Sequence, residues 1–313
     1  MKSVVHNIMK QKVKTILIDS SNLLHRAVWI TENARPNLNP SYIFLTSVKK
    51  YVDMFTCNNV YSVWDKRLIR GVKNYRRLSK QSDYKGNRDV EKNTKVFSHE
   101  DATTDLLNTL GVKNMYPGIL EADDVISWLA KNQSGNTVIV SVDQDMLQLV
   151  NERTTVYSPI KDIIIDHNNF EDVVGVSMDQ FLRYKSMVGD KSDNLPGIDR
   201  CGPKTAIKLL NECPDDDTLL EKIGEDRMKP YIHNLEMIDL NKGLEHHPGD
   251  VDLYQEQYDK LTDHQPDFDK FEKLCIERGI KTPLKSLGTW KHAFGGDTPA
   301  TLESIVNKLQ LNK

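Results

Sequence analysis

Short apolar segments alternate with amphipathic ones along the first half of the chain. Three apolar segments are rich in β-branched residues and end in aspartate, at 14–19 (KTILID), 60–65 (VYSVWD) and 137–145 (TVIVSVDQD). Helical periodicity lies between them, as at 41–55 and 121–131. Strands that alternate with helices favour a parallel sheet covered on both faces. The predicted fold class is therefore α/β.

The pattern changes twice further along the chain. Residues 66–100 are polar and lack apolar periodicity, and so long an insertion in a compact domain is usually functional or disordered. The segment 181–210 indicates a helix, a turn-rich loop and a second helix, and 211–313 is mostly helical and polar. We predict two regions: an α/β core over 1–165 that contains the insertion, and a mainly helical region over 166–313.

Nine acidic residues stand at predicted strand ends, at the start of a predicted helix, or in the turn-rich loop. They are Asp19, Asp65, Glu121, Asp123, Asp124, Asp143, Asp145, Asp190 and Asp193. Ligands of open parallel sheets bind outside the carboxyl ends of the strands. Each acid also has a simpler interpretation, because aspartate often caps a helix and acids are favoured in a first helical turn. Taken singly, that simpler interpretation is preferred.

The spacing of the acids changes this preference. Asp143 and Asp145 are two apart on a segment predicted to be extended, so both side chains should point the same way. Glu121 and Asp124 are three apart and should share a helix face, and the two loop acids repeat that spacing. Clustered carboxylates raise each other's pKa, and hard cations such as Mg²⁺ relieve this cost. Two such ions about 4 Å apart can activate a water and stabilise the leaving oxygen in phosphodiester hydrolysis.

Charge is unevenly distributed along the chain. The net charge of −3 argues mildly against a nucleic-acid-binding protein. However, the segment from Lys66 to Lys95 contains eleven lysines and arginines against three acids, a local net charge of +8. A chain with separate basic and acidic segments can bind a polyanion and metal ions at once.

Composition excludes other classes of protein. With 38% hydrophobic and 28% charged residues, the chain suits a soluble globular enzyme. No apolar run approaches the ~18 residues that span a bilayer, and the N-terminus lacks the apolar stretch of a signal peptide. The four cysteines are far apart, as expected for reduced cytoplasmic thiols rather than a disulfide framework or zinc site.

Five motifs occur in the order found in the 5′-nuclease superfamily: LIDSSNLLHRA, DYKGNRD, EADD, SVDQDMLQL and VGDKSDNLPGIDRCGPKTA. From about residue 14 to about 290 the chain resembles stand-alone bacteriophage 5′–3′ exonucleases and flap endonucleases, and the 5′-nuclease domain of bacterial DNA polymerase I. The resemblance implies a PIN-like parallel-sheet core, a helical arch at about 66–100 and a helix–three-turn–helix module at about 181–210. No polymerase domain follows, so a free-standing nuclease is expected.

The resemblance also implies roles for the acids. Asp65, Glu121, Asp123 and Asp124 are similar to the ligands of a first metal site. The second-site ligands would be Asp143, Asp145, Asp190 and Asp193. Asp19 would be a nearby catalytic carboxylate outside the direct ligands. The expected cofactor is a pair of Mg²⁺ ions, for which Mn²⁺ can substitute. All nine family positions hold acids, so a catalytically active enzyme is expected.

Basic and turn residues take DNA-binding roles by the same resemblance. Lys85 and Arg88 match catalytic residues at the base of the arch that hold the scissile phosphate, and Arg26 matches another phosphate contact. Tyr84 is expected either to stack on a base or to pack internally. The other arch cations would form an electrostatic funnel for single-stranded DNA. The residues expected to bind the duplex backbone, beside a K⁺ ion held by main-chain carbonyls, are Gly197, Gly202, Lys204 and Thr205.

The resemblance predicts a structure-specific 5′-nuclease that hydrolyses phosphodiesters near single-strand/duplex junctions. Its partners would be DNA with a 5′ flap or 5′ end and RNA/DNA hybrids, with replication proteins as candidate protein partners. Removal of RNA primers and 5′ flaps during replication would be its role. It would act as a monomer, without a membrane, in the cytoplasm of a bacterium or phage-infected cell.

Three other functions are weaker alternatives. A haloacid-dehalogenase-like phosphatase needs a second aspartate two residues after the first, where this chain has Ser21. A PIN-type ribonuclease needs only the core acids, and would leave the turn module and the second group of acids unexplained. A catalytically silent DNA-junction binding protein would not need the complete set of acids.

Overall fold

The computed structural model of the protein describes residues 13–57, 59–72, 75, 84–86 and 90–295, without the side chains of 90–93. Among these residues no helix is both long enough and apolar enough to cross a membrane. All four cysteines are free thiols, as the sequence predicts.

A six-stranded sheet forms the centre of the first region. Its strands are β1 (Thr15–Asp19), β2 (Asn59–Val63), β3 (Lys113–Met115), β4 (Thr137–Val140), β5 (Thr154–Ser158) and β6 (Ile163–Ile165). Their order across the sheet is β3-β2-β1-β4-β5-β6. Neighbouring strands are parallel except for β6, which pairs antiparallel with β5. The predicted α/β class with a parallel core is confirmed.

The central strands are buried on both faces. Every residue of β1 is buried. Ile16 and Ile18 pack into one apolar layer, whereas Leu17 packs into the layer on the opposite face. Alternate side chains of a strand point to opposite faces, so an uninterrupted apolar run is what a sheet covered on both sides requires.

Helices cover both faces of this sheet. They are α1 (Ser20–Asn33), α2 (Pro40–Phe55), α3 (Val90–Thr109) and α4 (Ala122–Asn132), and a 3₁₀ helix spans Gln144–Leu149. The start of α2 shows the local chemistry: Asn39 accepts a hydrogen bond from the Ser41 amide at 2.8 Å, and Pro40 occupies the first turn. Side chains of α1, α2 and α3 join the layer that contains Ile16, and side chains of α4 join the other.

Helices dominate the rest of the chain. They are α5 (Phe170–Val174), α6 (Phe181–Val188), α7 (Pro203–Glu212), α8 (Asp216–Ile223), α9 (Glu225–Ile238), α10 (Leu240–His246), α11 (Pro248–Leu261), α12 (Phe268–Glu277), α13 (Lys281–Lys285) and α14 (Leu287–Phe294). A short hairpin of β7 (Gly189–Asp190) and β8 (Leu195–Pro196) lies between α6 and α7. The predicted helix–loop–helix arrangement of 181–210 is therefore present. We keep the division of the chain at about residue 165 as a proposal.

The basic insertion differs in part from its prediction. Its last residues belong to α3, which continues to Thr109, although the sequence there shows no clear apolar periodicity. The reason is that most core side chains of α3 come late in the helix, such as Leu106 and Leu107, while Val96 is an isolated core residue in a mainly polar first half. Outside the described residues lie the arch cations Lys73, Arg76, Arg77 and Lys80 and the predicted phosphate ligand Arg88.

Candidate active site

Three of the predicted acids follow three adjacent strands at one edge of the sheet. Asp19 is the last residue of β1, Asp65 follows β2 by two residues, and Asp143 follows β4 by three. Because β1 lies between β2 and β4 and all three are parallel, their carboxyl ends meet at this edge. This is the position at which open parallel sheets bind ligands.

Asp19 is a buried carboxylate at the end of β1. Its side chain is 4% exposed and accepts a hydrogen bond from the Ser141 hydroxyl at 2.7 Å. Asp19 directly precedes α1, and the backbone amide of Asn22 in that helix acts to lower its pKa. Burial raises its pKa to about 7, with repulsion from Asp65 and Asp143 adding to the shift. Its burial beside two other carboxylates goes beyond what a helix cap requires.

The acids at the start of α4 have different surroundings. Some form hydrogen bonds that cap the helix, and one lies close to other carboxylates. Asp124 is fully buried and accepts the Glu121 amide at 3.0 Å, as part of a reciprocal capping box. The carboxylate of Asp65 accepts the Ala122 amide at 3.2 Å. Asp123 is different, because burial and the nearby Asp143 raise its pKa well above the ordinary value. Glu121 and Asp124, three residues apart, thus meet through this reciprocal cap.

The prediction of an extended segment over Asp143 and Asp145 is wrong. Strand β4 ends at Val140, and a 3₁₀ helix begins at Gln144. The Asp143 carboxylate accepts the Asp145 amide at 2.8 Å and so caps that helix. Aspartate competes in this way with regular strand structure by bonding to a nearby backbone amide. The two side chains therefore do not lie side by side on a strand.

Lys185 is a site residue that the sequence reasoning missed. It lies on α6, is buried, and forms ion pairs with Asp145 and, at 3.0 Å, with Asp190. Burial alone would lower its pKa, but Asp145, Asp143 and Asp190 raise it above the ordinary value. The signal that the sequence offered was a lysine in a predicted helix, two residues before Met187 and five residues before Asp190.

A second lysine pairs with the remaining acids. Lys85 donates to Glu121 at 2.9 Å, and its ammonium lies 3.8 Å from Asp193. Its amide also donates to the Asp193 carbonyl at 3.2 Å. Burial would lower the pKa of Lys85, but Glu121, Tyr84 and Asp193 raise it well above the ordinary value. Lys85, which was expected to bind a phosphate, thus pairs with two predicted metal ligands, Glu121 and Asp193, in this structure.

Tyr84 takes the packed position that was one of its two expected roles. It is 2% exposed, and its ring packs with Leu195 and Met237. Its hydroxyl, which has one proton to donate, lies 3.2 Å from a Glu121 oxygen and 3.0 Å from an Asp193 oxygen. These contacts join Glu121 and Asp193, which were assigned to different metal sites. The division of the acids between two sites therefore stays a prediction.

Most of the other predicted DNA contacts are exposed, whereas Gly197 is half-buried. Lys204 and Thr205 are exposed in the first turn of α7, directly after Gly202. Gly197 is required by crowding, since a Cβ there would lie 2.2 Å from the Val188 carbonyl oxygen. Arg26 is exposed on α1. The exposed start of a helix presents amide groups that favour phosphate.

Among the residues that the structure describes, no three histidine, cysteine, aspartate or glutamate side chains are arranged so that they could hold a metal ion. The donor set nevertheless fits a hard divalent cation, because Asp19, Asp65, Asp123 and Asp143 supply only carboxylate oxygens and repel one another. Lys85 and Lys185 form ion pairs with the neighbouring acids Glu121, Asp145 and Asp190.

Comparison with known proteins agrees with this arrangement. The model of the 5′–3′ exonuclease N-terminal, resolvase-like domain matches residues 14–175, and that of the 5′–3′ exonuclease C-terminal SAM fold matches 176–269. A 5′–3′ exonuclease of Halalkalibacterium halodurans is 30% identical over 228 residues, covering 67% of this chain and 73% of the relative. DNA polymerase I of Thermus thermophilus is 33% identical over 206 residues, covering 64% of this chain and 24% of the polymerase.

The fold is also found among solved structures. The flap endonuclease of bacteriophage T5, in a complex with DNA and metal ions, has a TM-score of 0.66 and covers 79% of this chain and 98% of that chain. At 16% identity this likeness concerns the fold alone. Because one family model spans more than half of the chain and a second continues it to residue 269, the protein belongs to the 5′–3′ exonuclease family of the 5′-nuclease superfamily.

Proposed function

We propose that the protein is a structure-specific 5′-nuclease that acts as a 5′–3′ exonuclease and flap endonuclease on DNA. The observation that carries this proposal is the group of carboxylates at the carboxyl edge of the sheet, several of them buried, next to Lys85 of the basic insertion. An anionic site beside a cation-rich segment suits hydrolysis of a polyanion with help from divalent metal ions. The family membership supports the same reaction.

The acids would share the metal ions between them. We propose Mg²⁺, with Mn²⁺ as a substitute, and eight direct or water-mediated ligands: Asp65, Glu121, Asp123, Asp124, Asp143, Asp145, Asp190 and Asp193. A pair of bound ions would activate a water and stabilise the leaving oxygen of the phosphodiester. Asp19, held by Ser141, would act behind these ligands as a further negative charge.

Other residues would position the nucleic acid. Lys85 and Arg88 would hold the scissile phosphate, and Arg26 another phosphate. The start of α7, with Lys204 and Thr205, would bind the duplex backbone, together with a K⁺ ion on main-chain carbonyls near Gly197. Substrates would be DNA with a 5′ flap or 5′ end and RNA/DNA hybrids, and the biological role would be removal of primers and flaps. The protein would act as a cytoplasmic monomer beside replication proteins.

A labelled 5′-flap duplex tests the activity directly. Incubation with Mg²⁺ should release a fragment from the 5′ side with a 3′-hydroxyl, and EDTA should prevent this release. The same sequence as fully paired duplex and as single strand serves as the control for structure specificity. Binding of the flap substrate without any Mg²⁺-dependent product would overturn the nuclease proposal.

A Lys85→Ala variant should cleave the flap about 10²-fold more slowly in single-turnover reactions. The reason is that the ammonium must leave Glu121 to neutralise charge that develops on the phosphoryl oxygens, and such preorganised groups contribute about 10²–10³-fold. Lys66→Ala is the matched control, because Lys66 pairs with the exposed Asp101 and should affect the rate by a few-fold at most. Equal rates for both variants would leave Lys85 without a catalytic role.

A Lys204→Ala variant should weaken binding to every duplex sequence alike and lower the slope of log K against log salt by about 1. The cause is loss of one exposed cation at the start of α7, where backbone amides already favour a phosphate. Lys208→Ala is the control on the same helix, since Lys208 lies one turn further on and pairs with Glu212 at 3.9 Å. Fluorescence anisotropy at several salt concentrations measures both, and an identical slope for both variants would refute the contact.

A further inference from the structure

Asp250 is a buried carboxylate outside the group of predicted metal ligands. It lies on α11, in the helical region, and is 3% exposed. Its oxygens accept the amides of Gly118, Ile119 and Leu120, at 3.0 to 3.1 Å. The hydroxyl of Tyr254, one turn further along α11, adds a fourth hydrogen bond at 3.0 Å.

Three consecutive amides converge on this one carboxylate. Successive backbone N–H groups that point into one concavity form an anion-binding arrangement, and charged acceptors strengthen such bonds. The segment lies outside regular secondary structure, so its amides have no strand or helix partner of their own. Removal of the negative charge would leave buried donors poorly satisfied and release the segment.

The segment that Asp250 holds leads directly into the candidate site. Leu120 precedes Glu121, the residue that caps α4 and receives the Lys85 ammonium. The base of the basic insertion attaches to the same segment, because the Leu68 amide donates to the Pro117 carbonyl at 2.9 Å and the Ile69 amide to the Gly118 carbonyl at 3.3 Å.

The contact between Gly118 and Asp250 has no room for a larger residue at position 118. A Cβ on Gly118 would lie 2.4 Å from an Asp250 oxygen and 2.9 Å from its carboxyl carbon. A second side chain of α11 holds Tyr116, two residues before Gly118. Gln257 accepts the Tyr116 amide at 3.0 Å and donates to the Tyr116 carbonyl at 2.9 Å. Helix α11 thus fixes the backbone from 116 to 120 through two polar side chains.

We propose that Asp250 is a positioning residue for the metal site: it fixes residues 118–120, and thereby the carboxylates at the start of α4. The inference rests on the proposed function, because it assigns metal binding to Glu121 and Asp123. Asp250 would not contact the metal ions. It would act through the backbone, as groups behind metal ligands do when they set ligand orientation, and loss of such groups weakens metal affinity by about 10–100-fold.

The test compares Asp250→Asn with Asp252→Asn, which makes the same change at an exposed position two residues along α11. The asparagine keeps the shape of the side chain but removes its charge. Its amide NH₂ group is a donor and cannot accept hydrogen bonds from the backbone amides. Calorimetric titration with Mg²⁺ alone, below the unfolding temperature of each variant, should show at least ~10-fold weaker binding for Asp250→Asn only. The Mg²⁺ concentration for half-maximal flap cleavage should rise by a similar factor.

A second variant guards against a failure of Asp250→Asn to fold. Gly118→Ala disturbs the same contact from the loop side and should also weaken Mg²⁺ binding. If Asp250 only stabilises the fold, either variant would have a lower melting temperature but an unchanged Mg²⁺ affinity in its folded form. That result would overturn the proposal. Failure of the nuclease proposal is a separate outcome, because the unmodified protein and Asp252→Asn would then also fail to cleave.

Discussion

An Asp145→Asn variant should cleave a 5′ flap on the order of 10³-fold more slowly with Mg²⁺ than the unmodified protein. A metal ion contributes several kcal/mol to stabilisation of the transition state, and each 1.36 kcal/mol is tenfold in rate. Asparagine keeps the shape of the side chain but loses the charge that attracts a divalent cation. Single-turnover cleavage at saturating protein measures the rate.

The same variant should bind the flap at least as tightly as the unmodified protein in EDTA. Asp145 faces Lys185 and the other acids, so its loss removes negative charge near the DNA without removing a proposed DNA contact. Asp172→Asn, at an exposed position on α5, is the control and should change neither rate nor affinity. A cleavage rate within a few-fold of the unmodified protein would remove Asp145 from the metal site.

The sequence was sufficient for the part of the site that depends on strand ends. A β-branched run followed by aspartate predicted where β1 ends, and parallel order then placed Asp19 near the acids that follow β2 and β4. This inference works because parallel strands share one carboxyl edge whatever the details of packing. The individual acids of the two proposed metal sites came from family resemblance, and their roles remain predictions.

The structure of the segment after Val140 could not be predicted from the pattern of apolar residues. The β-branched run over 137–145 predicted an extended segment, but Asp143 bonds to the Asp145 amide and starts a 3₁₀ helix instead. Such a choice depends on one short side chain competing for one backbone donor, which hydrophobic periodicity does not register.

Contacts between distant parts of the chain were likewise not predictable from spacing. Lys185 meets Asp145 across 40 residues, and Tyr84 meets Asp193 across 109. Asp250 reaches Leu120 across 130 residues. In each case the fold brings together groups whose local sequences indicate only a helix or a loop. These contacts give the site its neutralising charges and its backbone support, both of which require the tertiary structure.

A Lys185→Met variant should lose about 3–5 kcal/mol of unfolding free energy in EDTA, because removal of one partner leaves buried charges uncompensated. Methionine fills a similar volume with an unbranched chain, so the loss reports on charge more than on packing. Lys185 forms ion pairs with both Asp145 and Asp190. Urea unfolding with two-state analysis measures the effect.

Addition of Mg²⁺ should then restore much of the stability that Lys185→Met loses. If the acids beside Lys185 hold a divalent cation, the bound ion supplies the missing positive charge, and a ligand that binds only the folded state stabilises it. The increase in unfolding free energy from EDTA to Mg²⁺ should therefore be larger for Lys185→Met than for the unmodified protein. Lys191→Met, at an exposed lysine nearby, should behave as the unmodified protein in both conditions. An equal loss in EDTA and in Mg²⁺ would mean that Lys185 stabilises the fold without sharing its acids with a metal ion.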